Sequence, residues 1–499
     1  IVTGDWSSDV CSSDLLELHR GCATSRPDQK RHNRSLERLL RESDTLAMLL
    51  AMKRHGCSGS DWRPLLFQQF HDILPGTSIP EVFEQAEPIW RQARRTARQQ
   101  RDCAVQTLLG QGPATQRTST QGRSQWFWMG CQPLARWSPV LRLPVGHWHV
   151  EAEALAQQGS VSGGVWVQLP EQRGISSVGL HRDHAALATP LQPRNPVSLT
   201  RAASGVWTMG NSLVSLDCSE AGLLQLRDAA GADQLSGPMQ IARYADRGEF
   251  WDAWDIAADY GTHPLEVRPL REVQVLEAGP LVGHLALRFR VGLSTLRLDL
   301  RLRADCPWLE LIAAVDWRQC HELLRIELPL ATPAVRVAAD TSGGVLERPA
   351  RAVTPREQAR WEVAAISWVA SQAVAPGGGV AVLLDGPQGV SGTPDQLGVS
   401  LLRGPTWPDP SADRGLQRSR LALMPFAHTW ARAAVPQAAI AFREPGWHGP
   451  VAWADQASSP ELERWLPPLP AELSPVALVP SDAGSLLRLL NPGASRCRW

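Results

Sequence analysis

Phe67-Gln68-Gln69-Phe70-His71-Asp72-Ile73-Leu74-Pro75-Gly76-Thr77-Ser78-Ile79-Pro80-Glu81-Val82 is the stretch in which one helix of this chain must stop and another begin. Pro75 lacks the N–H that a continuing helix needs, and Gly76 after it favours a turn. Ser78-Ile79-Pro80-Glu81 then spells a capping box, in which the hydroxyl and the carboxylate each satisfy a free backbone N–H at a helix start. Downstream, Ile79, Val82, Phe83, Ala86, Trp90, Ala93, Ala97, Ala104 and Leu108 continue one apolar stripe until Gly110. That predicts a helix of about 46 Å, kinked at Pro88. Upstream, Leu36, Leu39, Leu40, Leu46, Ala47 and Leu50 form a second stripe, interrupted by Ser43. Between the two, a helix is predicted to start near Ser60 or Asp61, to accept Pro64 in its first turn, and to run through Leu65, Leu66, Phe67 and Phe70. Three amphipathic helices joined by short turns predict an antiparallel three-helix bundle over residues 16–112.

Past Gln111-Gly112-Pro113 the pattern changes to short alternating runs separated by Gly, Pro, Asp and Ser. Val140-Leu141-Arg142-Leu143, Val165-Trp166-Val167-Gln168-Leu169 and Leu296-Arg297-Leu298-Asp299-Leu300-Arg301-Leu302 are the clearest. The last has the period of two expected of a half-buried antiparallel strand. The fold class is therefore α+β, a three-helix bundle followed by antiparallel β-sandwich domains. The predicted division is a small β domain over 113–200, a large β-sandwich over 201–425 and a C-terminal β domain over 426–499. Residues 1–15 stay outside this reading. Asp5 to Leu15 reads DWSSDVCSSDL, which resembles one frame of a sequencing adaptor translated as coding sequence, so Cys11 carries no meaning and the true chain is expected to be cut before Leu16.

Among the 499 residues, 50 basic side chains balance 50 acidic ones, which offers no electrostatic case for nucleic acid or an anionic membrane. A neutral partner is the easier one to bind, and a homo-oligomer stays open. Only Lys30 and Lys53 are lysines, a bias of composition rather than of chemistry. Tryptophan is the oddity, with 21 Trp against two Tyr and eight Phe. Indole faces stack on sugar rings, but most Trp fill cores. The nine cysteines are dispersed without a CxxC, which reads as free thiols in a reducing, cytoplasmic compartment. No apolar run reaches the roughly 18 residues of a membrane span.

An imidazole and a carboxylate side by side, held by a Pro-Gly turn, make His71 and Asp72 the first site candidates. Neutral imidazole is a good ligand for zinc. A catalytic zinc takes about three protein ligands and an open position, so His71 on its own reads first as a helix-end hydrogen-bonder. His147 and His149 would share one strand face as a metal pair, without an evident third ligand. His181 and His184 read as loop residues. Asp252, Asp255 and Asp413 could be read as the paired acids of a glycosidase.

The Phe67–Val82 segment resembles a motif of the middle helical domain of glycoside hydrolase family 38 α-mannosidases. Other segments follow in the family's order. Leu18-His19-Arg20-Gly21, Thr24-Ser25-Arg26-Pro27 and Lys30-Arg31 resemble the approach to the bundle. Trp251-Asp252-Ala253-Trp254-Asp255-Ile256 with Tyr260 resembles a signature of the bacterial and cytosolic branch. Ser400-Leu401-Leu402-Arg403, Pro405-Thr406-Trp407-Pro408-Asp409-Pro410 and Asp413 resemble another. Gly222–Asp228 and Glu347-Arg348-Pro349 are weaker echoes, and Cys22-Ala23 departs from the family's usual residues. The resemblance implies a metal ligand at His71, a substrate contact at Asp72, and one divalent metal, zinc. It implies retaining hydrolysis of terminal α-mannosides in mannose-containing oligosaccharides. Asp252, Asp255 and Asp413 then fall to the sandwich region as structural or rim residues. In the family an N-terminal α/β barrel supplies the His-x-Asp metal ligands, the nucleophile and the acid/base carboxylate; nothing upstream of Leu16 supplies them here, so the chain alone is expected to be inactive. The reading from another class is a non-enzymatic carbohydrate-binding β-sandwich, carried by the Trp content alone.

Overall fold

The computed structural model describes residues 19–52, 59–109, 125–150, 153–183, 191–248, 251–374, 377–451, 473–481 and 484–492. The adaptor-like segment, Leu16, Leu18 and His184 lie outside them.

Three helices lead the chain, as the periodicity predicts. Helix α1 spans Pro27–Met52, α2 spans Arg63–Gln68 and α3 spans Pro80–Leu108. The stripes of α1 and α3 meet: Leu36, Leu39, Leu40, Ala86, Trp90 and Ala97 form one core with Leu65 and Ile73. Trp90 Nε1 donates to Gln29 Oε1 at 2.9 Å, so the largest side chain of this core is also hydrogen-bonded. At the other end, Leu46, Leu49, Leu50, Ala104 and Val105 pack on Phe127, Met129 and Ile175 of the first β-sheet.

Two local expectations fail for stated reasons. Helix α2 is only six residues long and ends at Gln68; Leu66, Phe67 and Phe70 are 58%, 66% and 53% exposed. A helix that short turns one narrow face inward, and Leu65 and Gln68 occupy it. The capping box at Ser78–Glu81 does not form. Pro80 is in the first turn and holds its predecessor Ile79 extended (φ −75°, ψ 158°), which moves the cap one residue beyond Ser78 and leaves no side-chain cap bond. A capping box does form elsewhere, where Thr354 and Glu357 close the single helical turn Pro355–Gln358.

The β region builds two sandwiches. A five-stranded sheet (Trp447–Val451, Gln125–Trp137, Gln172–Asp183, His147–Val150, Glu153–Ala154) and a three-stranded sheet (Val140–Leu143, Val165–Gln168, Ala156–Gly159) share a core of Trp128, Leu143, Trp148, Val167 and Leu180. The larger sandwich faces a ten-stranded sheet against a six-stranded one. Ser294–Arg303 alternates buried and partly buried at every residue, with Leu296, Leu298, Leu300 and Leu302 at most 1% exposed. These leucines meet Leu324, Ile326, Leu328, Leu397 and Val399 of the opposite sheet. Each contributes about 1.5–3 kcal/mol by burial. The outer face of the ten-stranded sheet is covered by helix α4, Val435–Arg443, through Val435, Ala438, Ala439 and Phe442 on Trp308, Trp368 and Met424. No helix among the described residues is long and apolar enough to cross a membrane.

Candidate functional site

His71 and Asp72 sit in the irregular turn between α2 and α3. Short backbone bonds wind it up, Ile73 N to Phe70 O at 2.9 Å and Gly76 N to Ile73 O at 3.1 Å. Thr77 then closes it twice on Asp72, donating its N–H to the carbonyl at 3.1 Å and its hydroxyl to Oδ1 at 2.9 Å. Oδ2 lies 3.4 Å from His71 Nε2. The His71 side chain is 78% exposed, and its ring is 4.1 Å from that of Phe70, centroid to centroid. Gly76 is required here: at φ +83° an added Cβ would lie 2.4 Å from Arg26 Cβ and 2.8 Å from Ser25 O.

That contact joins the turn to a buried polar junction assembled from the motif segments. Lys30 Nζ donates to Pro75 O at 2.7 Å and also to Ser25 O. Ser25 Oγ donates to Ala253 O at 2.7 Å, and Gly21 N donates to Trp254 O at 2.7 Å. At the centre is Arg403, 1% exposed, whose Nε and Nη2 donate to Asp246 Oδ2 at 2.9 and 2.7 Å. The same guanidinium donates to Ser25 Oγ and to the carbonyls of Asp252 and Asp255. Burial works against its charge, yet Asp246, Asp252 and Asp413 raise its pKa above the ordinary value. Asp413 accepts from the backbone N–H of Arg26, Arg403 and Gly404 at 2.7, 3.0 and 2.9 Å. Burial nevertheless pushes its carboxyl up. Burial takes the Lys30 ammonium down to about 8 and the Cys22 thiol up to about 12.

Asp252 and Asp255 are also engaged. Asp252 Oδ2 accepts from Thr406 N at 2.6 Å and lies 2.9 Å from His321 Nε2. Asp255 accepts from Arg20 Nη1 at 3.0 and 3.1 Å, and the Arg20 guanidinium lies 3.5 Å over the Trp361 ring. All three acids thus hold segments together. His149 and His181 are cross-strand partners with stacked rings 5.3 Å apart, while His147 is exposed at the strand start. Loss of water lowers the pKa of His19, with Asp255 and then Asp72 pulling it back up. Asp246, His321 and Trp361 were not singled out from the sequence; isolated residues near strand ends carry no pattern that would have found them.

Among the described residues no three His, Cys, Asp or Glu side chains are grouped to hold a metal. His71 and Asp72 put an exposed imidazole beside an oriented carboxylate, two side chains where a catalytic zinc takes about three protein ligands.

Residues 17–108 match the alpha mannosidase middle domain, and residues 209–411 match the glycosyl hydrolases family 38 C-terminal domain. The chain belongs to glycosyl hydrolase family 38. It is 28% identical over 448 residues to human Alpha-mannosidase 2C1, covering 86% of this chain and 40% of the relative. It is 25% identical over 457 residues to Alpha-mannosidase G of Dictyostelium discoideum, covering 84% and 42%. The chain thus spans about two fifths of the length of these curated relatives. An alpha-mannosidase from Enterococcus faecalis V583 shares the fold, with a TM-score of 0.70 at 14% identity over 95% of this chain and 63% of that one.

Proposed function

We propose that this chain supplies the His71–Asp72 corner of a metal-dependent retaining α-mannosidase that acts on terminal α-mannosides of mannose-containing oligosaccharides. The observation that supports it is the contrast at the junction: Asp246, Arg403 and Asp413 are buried and bonded to one another's segments, while His71 stands exposed on a braced turn. When bound, a zinc ion would supply Lewis-acid polarisation and orientation of sugar hydroxyls. His71 offers it a neutral imidazole. Thr77 holds Asp72 Oδ1, and Oδ2, 3.4 Å from His71 Nε2, keeps lone-pair capacity to accept a hydrogen bond from a mannose hydroxyl. The nucleophile and the acid/base carboxylate of a retaining glycosidase belong to a separate domain on this reading, and the chain is inactive without it. The free thiols Cys22, Cys103, Cys218, Cys306 and Cys320 support a cytoplasmic setting.

The test is made on an enzyme in which these residues stand beside the catalytic domain. There His71→Ala lowers bound zinc, read by elemental analysis, together with hydrolysis of an aryl α-mannoside. Unchanged metal content refutes the ligand assignment, and hydrolysis by the purified 499-residue chain refutes its dependence on another domain.

A further inference from the structure

Trp251, Trp254 and Trp407 come from two segments far apart in sequence and meet at the surface beside this junction. Their ring centroids are 5.7 Å apart for Trp251–Trp254, 5.7 Å for Trp251–Trp407 and 5.3 Å for Trp254–Trp407. The rings are inclined to one another by 79°, 58° and 38°, so they form the walls of a shallow cup and not a flat patch. Trp251 is 54% and Trp407 51% exposed, an unusual surplus of open indole for a chain whose largest fully buried side chains include Trp90, Trp128, Trp148, Trp308, Trp317 and Trp368.

The cup is held rigidly. Trp254 N and Asp255 N both donate to Trp251 O, whose residue sits at φ +58°. Asp252 Oδ2 accepts from the backbone N–H of Thr406 and Trp407, and Ala253 N donates to Trp407 O at 3.1 Å. The His321 side chain, 42% exposed, stands beside Trp407 with Nε2 2.9 Å from Thr406 Oγ1, adding a polar group next to the rings. Ser25 connects the cup to the Asp72 turn: its Oγ donates to Ala253 O, and its carbonyl shares Lys30 with Pro75.

We propose that the Trp251–Trp254–Trp407 cup is a sugar-stacking subsite that binds units of the oligosaccharide beyond the terminal mannose. This rests on the mannosidase reading for the identity of the sugar, not for the stacking itself. A pyranose presents an apolar C–H face to an indole and hydroxyls at its edge, which suits inclined rings with a polar neighbour. Because the rings are already fixed, little ordering entropy opposes binding.

Calorimetric titration of the 499-residue chain with α-linked mannotriose, methyl α-mannoside and maltotriose tests it. Wild type is expected to bind mannotriose more tightly than the monosaccharide. Trp251→Ala and Trp407→Ala each weaken trisaccharide binding about ten-fold or more, the scale of an aromatic hot spot. Trp407→Phe, which keeps a ring face, retains most of it. The Ala variants lose ring packing and should melt a few degrees lower, and an unchanged circular dichroism spectrum at the titration temperature shows that lost binding is not lost folding. Val161→Ala, at an exposed turn of the small sandwich, should leave trisaccharide affinity intact. Loss in His71→Ala but not in the Trp variants overturns the subsite and leaves the mannosidase reading standing. Maltotriose bound in place of mannotriose, with the same Trp dependence, supports the subsite and overturns the sugar assignment. No trisaccharide binding by wild type, equal binding by the Ala variants, or a dimer that the Trp variants dissociate in sedimentation, the mark of a self-association face, each overturn the subsite.

Discussion

The junction around Arg403 and the turn around His71 are joined through Ser25, yet they spend their polar groups in opposite ways. In the junction, charge is buried and turned inward: Arg403 and Asp246 are each 1% exposed and bonded to one another, and Asp413 spends its carboxylate on backbone N–H groups. In the turn, Asp72 has one oxygen held by Thr77 and the other 3.4 Å from His71 Nε2, and His71 is exposed. The first region keeps separate segments at fixed positions. The second leaves an imidazole open to solvent at a fixed position.

The sharpest way to break this contrast is at its centre. Arg403→Met leaves Asp246 buried without its partner and should cost about 3–5 kcal/mol in urea denaturation. A loss under about 1 kcal/mol would mean that the network is not a structural joint. Gly76→Ala should follow at about 1–3 kcal/mol, from the left-handed φ and the contact with Arg26. A third effect is expected from pH. Burial holds the Lys30 ammonium at about 8, below its ordinary value of 10.5, so the folded state carries fewer protons than the unfolded between those values. Stability of wild type relative to Lys30→Met should therefore be flat below pH 8 and rise from pH 8 toward 10.5; a fall over that window would contradict the burial of a charged Lys30. The smallest effect belongs to the open turn, where His71→Ala should change stability by less than about 0.5 kcal/mol. A larger loss would show that the imidazole is a structural group.

Much of this was legible in the sequence. The leucine alternation over Leu296–Leu302 and the stripes of α1 and α3 announce their elements because burial on one face imposes a period. The Trp251–Ile256 and Ser400–Asp413 segments could be picked out by resemblance. The resemblance also implied a structural or rim role for Asp252, Asp255 and Asp413, but their partners were not readable, because they lie far away in sequence, as in Thr406 with Asp252, Arg20 with Asp255 and Arg26 with Asp413. Pattern reading also assigned Phe67 and Phe70 to a helix interior that a six-residue helix cannot provide. The capping box failed by one residue because Pro80 acts on its neighbour's backbone more strongly than Ser78 can act as a cap.

Ser25 has consequences for timing as well as for position. Its hydroxyl holds Ala253 and its carbonyl shares a lysine with Pro75, so the His71 turn and the Trp251–Trp254 loop are tied to one fully buried residue. No hinge is available between them. Loss of the Ser25 joint should therefore loosen both segments at once, read as faster hydrogen exchange at the backbone N–H groups of Ala253 and Thr77.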